Sequence, residues 1–157
     1  MAIAWIKTDL PTIREKKLEA VAEICQSLIY YGIDVELSGE SHHFSLEPND
    51  QTNIDSMFTA VTLGAKEYPY HSDGNQCTMF TASDIVKLYT AYKSFVTQQT
   101  TYCNFLKVWI NRETDNDILG DIEYGSPLPD DLQSEMQNIL EKAAEQIQSI
   151  IGTVVSK

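Results

Sequence analysis

Apolar positions recur every three or four residues through "TIREKKLEAVAEICQSLIYYG", the first regular run of the chain. Leu18, Val21, Cys25 and Leu28 form one stripe, widened by Ile24 and Ile29, which is the period of a helix burying one face. Thr12 and Glu15 have the spacing at which each side chain satisfies an orphan amide of a helix start. Gly32 ends the run, because it takes a positive φ without steric cost. The period then drops to two. Ile33, Val35 and Leu37 alternate with acidic residues, and His42, Phe44 and Leu46 alternate after "SGES", which predicts a hairpin. Pro48 opens a short second helix whose inward side chains are Ile54, Met57, Phe58 and Val61, and Gly64 closes it.

A second hairpin is predicted in "YPYHSDGNQCTMF", residues 68–80, around a tight Asp73-Gly74 turn, since both residues tolerate positive φ. "TASD" repeats the capping spacing from Thr81 to Asp84. Behind it Ile85, Leu88, Tyr89, Tyr92, Phe95, Val96, Tyr102, Phe105, Leu106 and Trp109 continue a helical stripe to residue 112 with no Gly or Pro. The β-branched, polar "TQQTTY" predicts a kink or a loosened turn within it. A short helical piece, "DNDILGDIEYG", leads through two prolines to a last helix carrying Leu132, Met136, Ile139, Leu140, Ala143, Ile147 and Ile150.

The fold expected is mainly α (α+β): one domain over residues 1–157, with about four helices and two short β-hairpins. It divides into an N-terminal strand or strap over 1–11, a helix–hairpin–helix–hairpin–long helix unit over 12–112, and an acidic helical segment over 113–157. A chain of 157 residues is long enough to bury one core.

Charge changes the picture more than composition does. The net charge is −12, and it is unevenly placed. Residues 113–145 hold ten acidic side chains against Lys142 alone, a local charge of −9. Such a surface repels phosphate backbones, so no direct nucleic-acid contact is expected. A solvated face is the first reading; DNA mimicry and a basic partner are the alternatives. With 43% hydrophobic residues the chain is rich enough in apolar groups to fold. No stretch reaches the roughly 18 apolar residues of a membrane span, so no membrane insertion is expected. "MAIAWIKTDLPT" lacks the apolar run of a signal peptide. Cys25, Cys77 and Cys103 form no CxxC pair and read as reduced thiols of a protein made in a cytosol.

Candidate chemistry is thin. His42, His43, His71, Asp73 and Cys77 are possible metal ligands, but a structural zinc site wants four donors. Adjacent His42 and His43 point to opposite faces of a strand. Cys25 and Cys103 read as packing thiols on helices. Ser72 lacks the glycines of a nucleophile elbow, and Asp130-Asp131 suits a helix start without catalysis. No catalytic residue, metal or cofactor is expected. Tyr68, Tyr70 and Phe80 place aromatic area on a ribbon too short to stand alone, so it must pack on a helix or another chain.

"HFSLEPNDQTNI", then "YPYHSDGNQCTMFTASDI", then "TTYCNFLKVWI" and the Glu123–Pro129 stretch carry a resemblance. Over roughly residues 12–140 the chain resembles small tail-associated proteins of bacteriophages and prophages, and a domain of unknown function in phage tail-fibre and baseplate proteins. The resemblance implies a non-enzymatic virion structural protein of the tail tip, baseplate or fibre-attachment region. It would be made in the host bacterial cytoplasm, placed in the virion tail, and oligomeric there among other tail or baseplate proteins. A tail-fibre assembly chaperone absent from the mature particle, and an acidic DNA-mimic inhibitor, are the other functions weighed.

The motif residues also have physical jobs to fill. Asp50 and Gln51 lie near the second helix start and suit capping, and Asn53 is expected to bond a neighbouring loop. Asp73 and Gly74 form the turn, with Asp73 making an Asx-type bond and His71 a bond across the ribbon. Tyr68, Tyr70 and His71 are the sharper candidates for partner contact. Ile3, Trp5 and Ile6 make the start an apolar edge strand or strap, expected to contact another chain.

Overall fold

The computed structural model describes residues 9–156, so the expectation for Ile3, Trp5 and Ile6 lies outside the described residues. The order of elements is α1 (Leu10–Tyr31), β1 (Ile33–Leu37), β2 (Glu40–Phe44), α2 (Pro48–Thr62), β3 (Glu67–Tyr70), β4 (Thr78–Thr81), α3 (Ala82–Arg112), α4 (Asn116–Asp121) and α5 (Asp130–Val155). The α+β class with two hairpins is as the periods predicted. The short helical piece after the long helix is α4.

Helix α1 starts earlier than Thr12. Asp9 is its cap, with its carboxylate accepting the Thr12 amide at 3.3 Å. Pro11 then occupies the first turn, where a missing amide hydrogen costs nothing. Leu10 and Pro11 are therefore helical, not part of a strap over 1–11. Val21, Cys25 and Ile29 are the buried face of α1, whereas Ile24 and Leu28 flank it and are 43% and 42% exposed. At its end Gly32 has φ +94°, and a Cβ there would meet the Phe44 carbonyl oxygen at 1.8 Å. The first hairpin folds back that tightly, with the Leu46 amide donating to the Tyr30 carbonyl at 3.1 Å.

Strands β1 and β2 pair antiparallel from Ile33↔Phe44 to Leu37↔Glu40. Their two-residue turn is Ser38-Gly39, both with positive φ, which matches the twist of the strands it joins. Strands β3 and β4 make a separate antiparallel pair, from Glu67↔Thr81 to Tyr70↔Thr78. The connection is not the tight Asp73-Gly74 turn expected. It is a loop over residues 71–77, with Gly74 at φ +74° in its bend. Phe44 joins the two hairpins: its ring stacks on Tyr70 at 6.2 Å and meets Phe80 edge-on at 6.1 Å.

Helix α3 is continuous over 31 residues. Across "TQQTTY" the Thr100 hydroxyl donates to the Val96 carbonyl at 2.8 Å, absorbing the polar side chain into the helix instead of breaking it. Thr81 caps α3 by accepting the Asp84 amide at 3.2 Å. The reciprocal half of the expected box is absent, because the Asp84 carboxylate instead accepts the Ser38 hydroxyl at 3.4 Å.

Two apolar clusters share α3. Ile54, Met57, Phe58 and Val61 of α2 meet Ile85, Leu88 and Tyr92 of α3, the first hairpin and the end of α1. Val21 of α1 meets Phe105, Leu106 and Ile110 of α3, with Leu119, Ile122, Leu128, Leu132 and Met136 closing the second cluster. The acidic segment is thus apolar on its inner side, and its carboxylates other than Glu113 are exposed. Two cations of α1 fasten it. Arg14 donates to the Ile110 and Glu113 carbonyls at 3.1 and 2.7 Å, and Lys17 to the Gly120 and Ile122 carbonyls at 2.5 and 2.7 Å. Both meet carbonyls that helix ends leave without intrahelical donors.

Candidate interaction site

The loop over residues 71–77 is held by side chains distant in sequence. The Asp73 carboxylate accepts the Ser45 amide at 3.1 and 3.2 Å and the Ser45 hydroxyl at 3.1 Å. The Asp73 amide donates to the His43 carbonyl at 2.9 Å. Asp73 therefore ties the second hairpin to the end of the first, rather than making the Asx-type bond expected within its own turn. The turn is closed by the Asn75 amide on the Ser72 carbonyl at 3.1 Å. Asp50 completes the tie: it accepts the Ser45 hydroxyl at 3.2 Å and the Glu47 amide at 3.0 Å, the capping role its position suggests. Gln51 donates its amide to the Leu46 carbonyl at 2.9 Å. Asn53 is exposed on α2 and makes no side-chain hydrogen bond among the described residues, so the expected loop contact is absent.

His42 and His43 do face opposite sides of β2. On the inner side His42 Nδ1 lies 3.2 Å from the Ser72 hydroxyl, which also accepts the Asn75 side-chain amide at 2.7 Å. On the outer side His43 Nδ1 lies 2.7 Å from Asp34, and its Nε2 2.7 Å from the Tyr31 carbonyl. The Asp34 hydrogen bond raises the His43 pKa, and burial opposes it only in part. Glu40, His42 and Ser72 stand in the order of a catalytic triad. Glu40 is 3.9 Å from the ring, however, and Ser72 is 2% exposed, its hydroxyl held between His42 and Asn75. Among the described residues no three His, Cys, Asp or Glu side chains gather as metal ligands. His71 bonds the carbonyl of its neighbour Ser72 at 3.2 Å, not a group across the ribbon.

The three residues expected to meet a partner divide by exposure. Tyr70 is half-buried against Phe44 and Phe80, and burial, aided by the charges of Asp50 and Asp73, pushes its phenol up to about 12. It belongs to the joint between hairpins. Tyr68 is 39% exposed, and His71 is exposed with its ring against Tyr70 at 5.4 Å. Sequence reasoning missed Met79, which is 53% exposed and paired directly opposite the exposed Pro69. Strict alternation away from Tyr68 and Tyr70 was the signal that finds it.

A further site lies where α1, α2 and α3 converge, in a groove of about 660 Å³. Cys25 and Cys103 line it, together with Tyr92 and Asp55. Lys93 bridges to Asp55 at 2.9 Å beside the Tyr92 ring.

A helical scaffold carrying a fastened ribbon with apolar side chains turned outward is the class these features define. Residues 12–124 match the family described as Domain of unknown function (DUF4376), and the chain belongs to that family. No curated protein and no solved structure matches it.

Proposed function

We propose that the chain is a non-enzymatic structural component of a phage tail, in the tail tip, baseplate or fibre-attachment region, acting through protein–protein contact. The observation that carries this reading is the outward face of the β3–β4 ribbon. Pro69 and Met79 oppose one another in water while Tyr70 and Phe80 fix the ribbon from beneath. A short ribbon clamped at its connecting loop by Asp73 loses little conformational freedom on binding, which favours a recognition role. The resemblance of the "HFSL", "YHSDGNQC" and "TTYCNFL" segments to tail-associated proteins supplies the setting. The exposed carboxylates of residues 115–145 favour partners with basic surfaces and speed their encounter.

Quantitative mass spectrometry of purified particles tests the reading. A stoichiometric signal is expected. Presence in infected cells but absence from particles moves the protein to the role of an assembly factor. Deleting residues 2–7 asks whether the apolar start serves a partner: the shortened chain should fold yet fail to enter particles.

A further inference from the structure

Between the end of α2, the start of α3 and the last turn of α5 lies a second cavity, of about 420 Å³. That is the size of a site for a small ligand or a few side chains. Val61, Ala65, Val86 and Val154 give it apolar walls, and the exposed Lys66 and Lys87 complete it. Among the described residues no carboxylate lines it, in a chain with 23 acidic residues and only 11 lysines and arginines. Among the described residues neither lysine makes an ion pair. The cavity between β2 and β4 makes the contrast, since Glu40 and Asp84 both line it.

The rim of the lysine-lined cavity is apolar as well as cationic. Val155, which lines it, is 73% exposed, and Leu63, beside the lining Thr62 in the chain, is 84% exposed. Isolated exposed leucines are ordinary. Val155, which lines this apolar, cationic hollow, leaves apolar area there for a partner to cover.

We propose that this cavity receives the C-terminal end of a partner polypeptide that finishes in an aliphatic residue. The side chain packs on Val61, Val86 and Val154, and the terminal carboxylate lies between Lys66 and Lys87. A chain end carries both features on one residue, which suits a hollow walled partly by the exposed Val155. The proposal rests on the reading of this protein as an interaction module and names one partner chemistry for it.

The test uses the purified full chain, isotope-labelled for NMR, and N-acetyl-Ala-Ala-Leu-Val as free acid and as C-terminal amide. It is independent of particle composition, so its failure and that of the structural role are separable. The free acid should shift resonances of Val61, Ala65, Val86 and Val154. The amide should bind roughly fivefold more weakly, the size of one or two exposed charge contacts. A Lys66→Glu/Lys87→Glu variant, altered only at exposed positions, should keep its melting temperature and lose the preference for the acid. Equal binding of acid and amide, shifts confined to another surface, or no shifts at millimolar peptide overturns the proposal.

Discussion

Cys25 and Cys103 lie on one crossing of α1 with α3, each giving its thiol to the carbonyl one turn before the other. Cys25 Sγ is 3.6 Å from the Gln99 carbonyl oxygen and Cys103 Sγ 3.8 Å from that of Val21. Burial, and then the neighbouring Cys25, pushes the Cys103 thiol up to about 11. The thiolate is the reactive form. Cys103 should therefore react with a thiol reagent at pH 8 at least roughly a hundredfold more slowly than an ordinary thiol. Exposed Cys77 should react at once. A native thiol titration should count one fast thiol, and the other two only after unfolding.

Gly32→Ala tests the close approach of α1's end to the backbone at the end of β2. The new Cβ meets the Phe44 carbonyl, and the positive φ strains any L side chain. A loss of at least about 2 kcal/mol is expected in urea unfolding. Gly39→Ala, where a Cβ meets nothing within 4 Å, should lose clearly less.

Asp73→Ala removes the acceptor that fastens the loop to Ser45. With a side chain 42% exposed, the loss should be about 1 kcal/mol, below the usual figure for a buried charged hydrogen bond. Asp73→Asn keeps one acceptor oxygen and should lose less. Amide exchange at Ser45 and Asp73, measured by NMR, should rise in the alanine variant before global unfolding does.

Two groups set opposite pH dependences. The His43 pKa is raised above 6.5 by Asp34, so its contribution is full below pH 6.5 and is lost as pH rises through the raised value. Asp34→Asn should lower the midpoint of the His43 imidazole titration seen by NMR. Arg112 holds the Asp131 carboxyl down to about 2 from its ordinary 3.8, through paired bonds of 2.6 and 2.7 Å. That contribution is present above pH 3.8 and is lost as pH falls towards 2. Melting temperatures of the native chain and of Asp131→Asn should therefore converge in acid.

Helices and the first hairpin were legible because their signals are local. The period of Ile54, Met57, Phe58 and Val61 names its own buried face, and Ser38-Gly39 carries its own turn chemistry. Asp9 escaped notice because Thr12 also offers a capping side chain; Pro11 between them was the discriminating clue. The loop at Asp73 was not legible, since its anchor, Ser45, lies 28 residues away. Asp-Gly propensity speaks only of neighbours. The thiol pair is the same case over a longer interval, set by how α1 crosses α3. In α5 the apolar stripe was read correctly, but only Leu132 and Met136 are buried, while Ile139 and Ile150 are 47% and 42% exposed. Period reports which side chains share a face, not how much neighbour covers it.

Helix α3 runs unbroken for 31 residues, a rise of about 46 Å at 1.5 Å per residue. The ribbon leads straight into its first turn, and the acidic segment begins at its last. Each end has its own apolar cluster gripping the rod, so neither can slide along it without exposing buried side chains. The chain is thereby a ruler: the ribbon before Ala82 and the carboxylates of Asp115 and Asp117 just beyond Arg112 are kept about one helix-length apart.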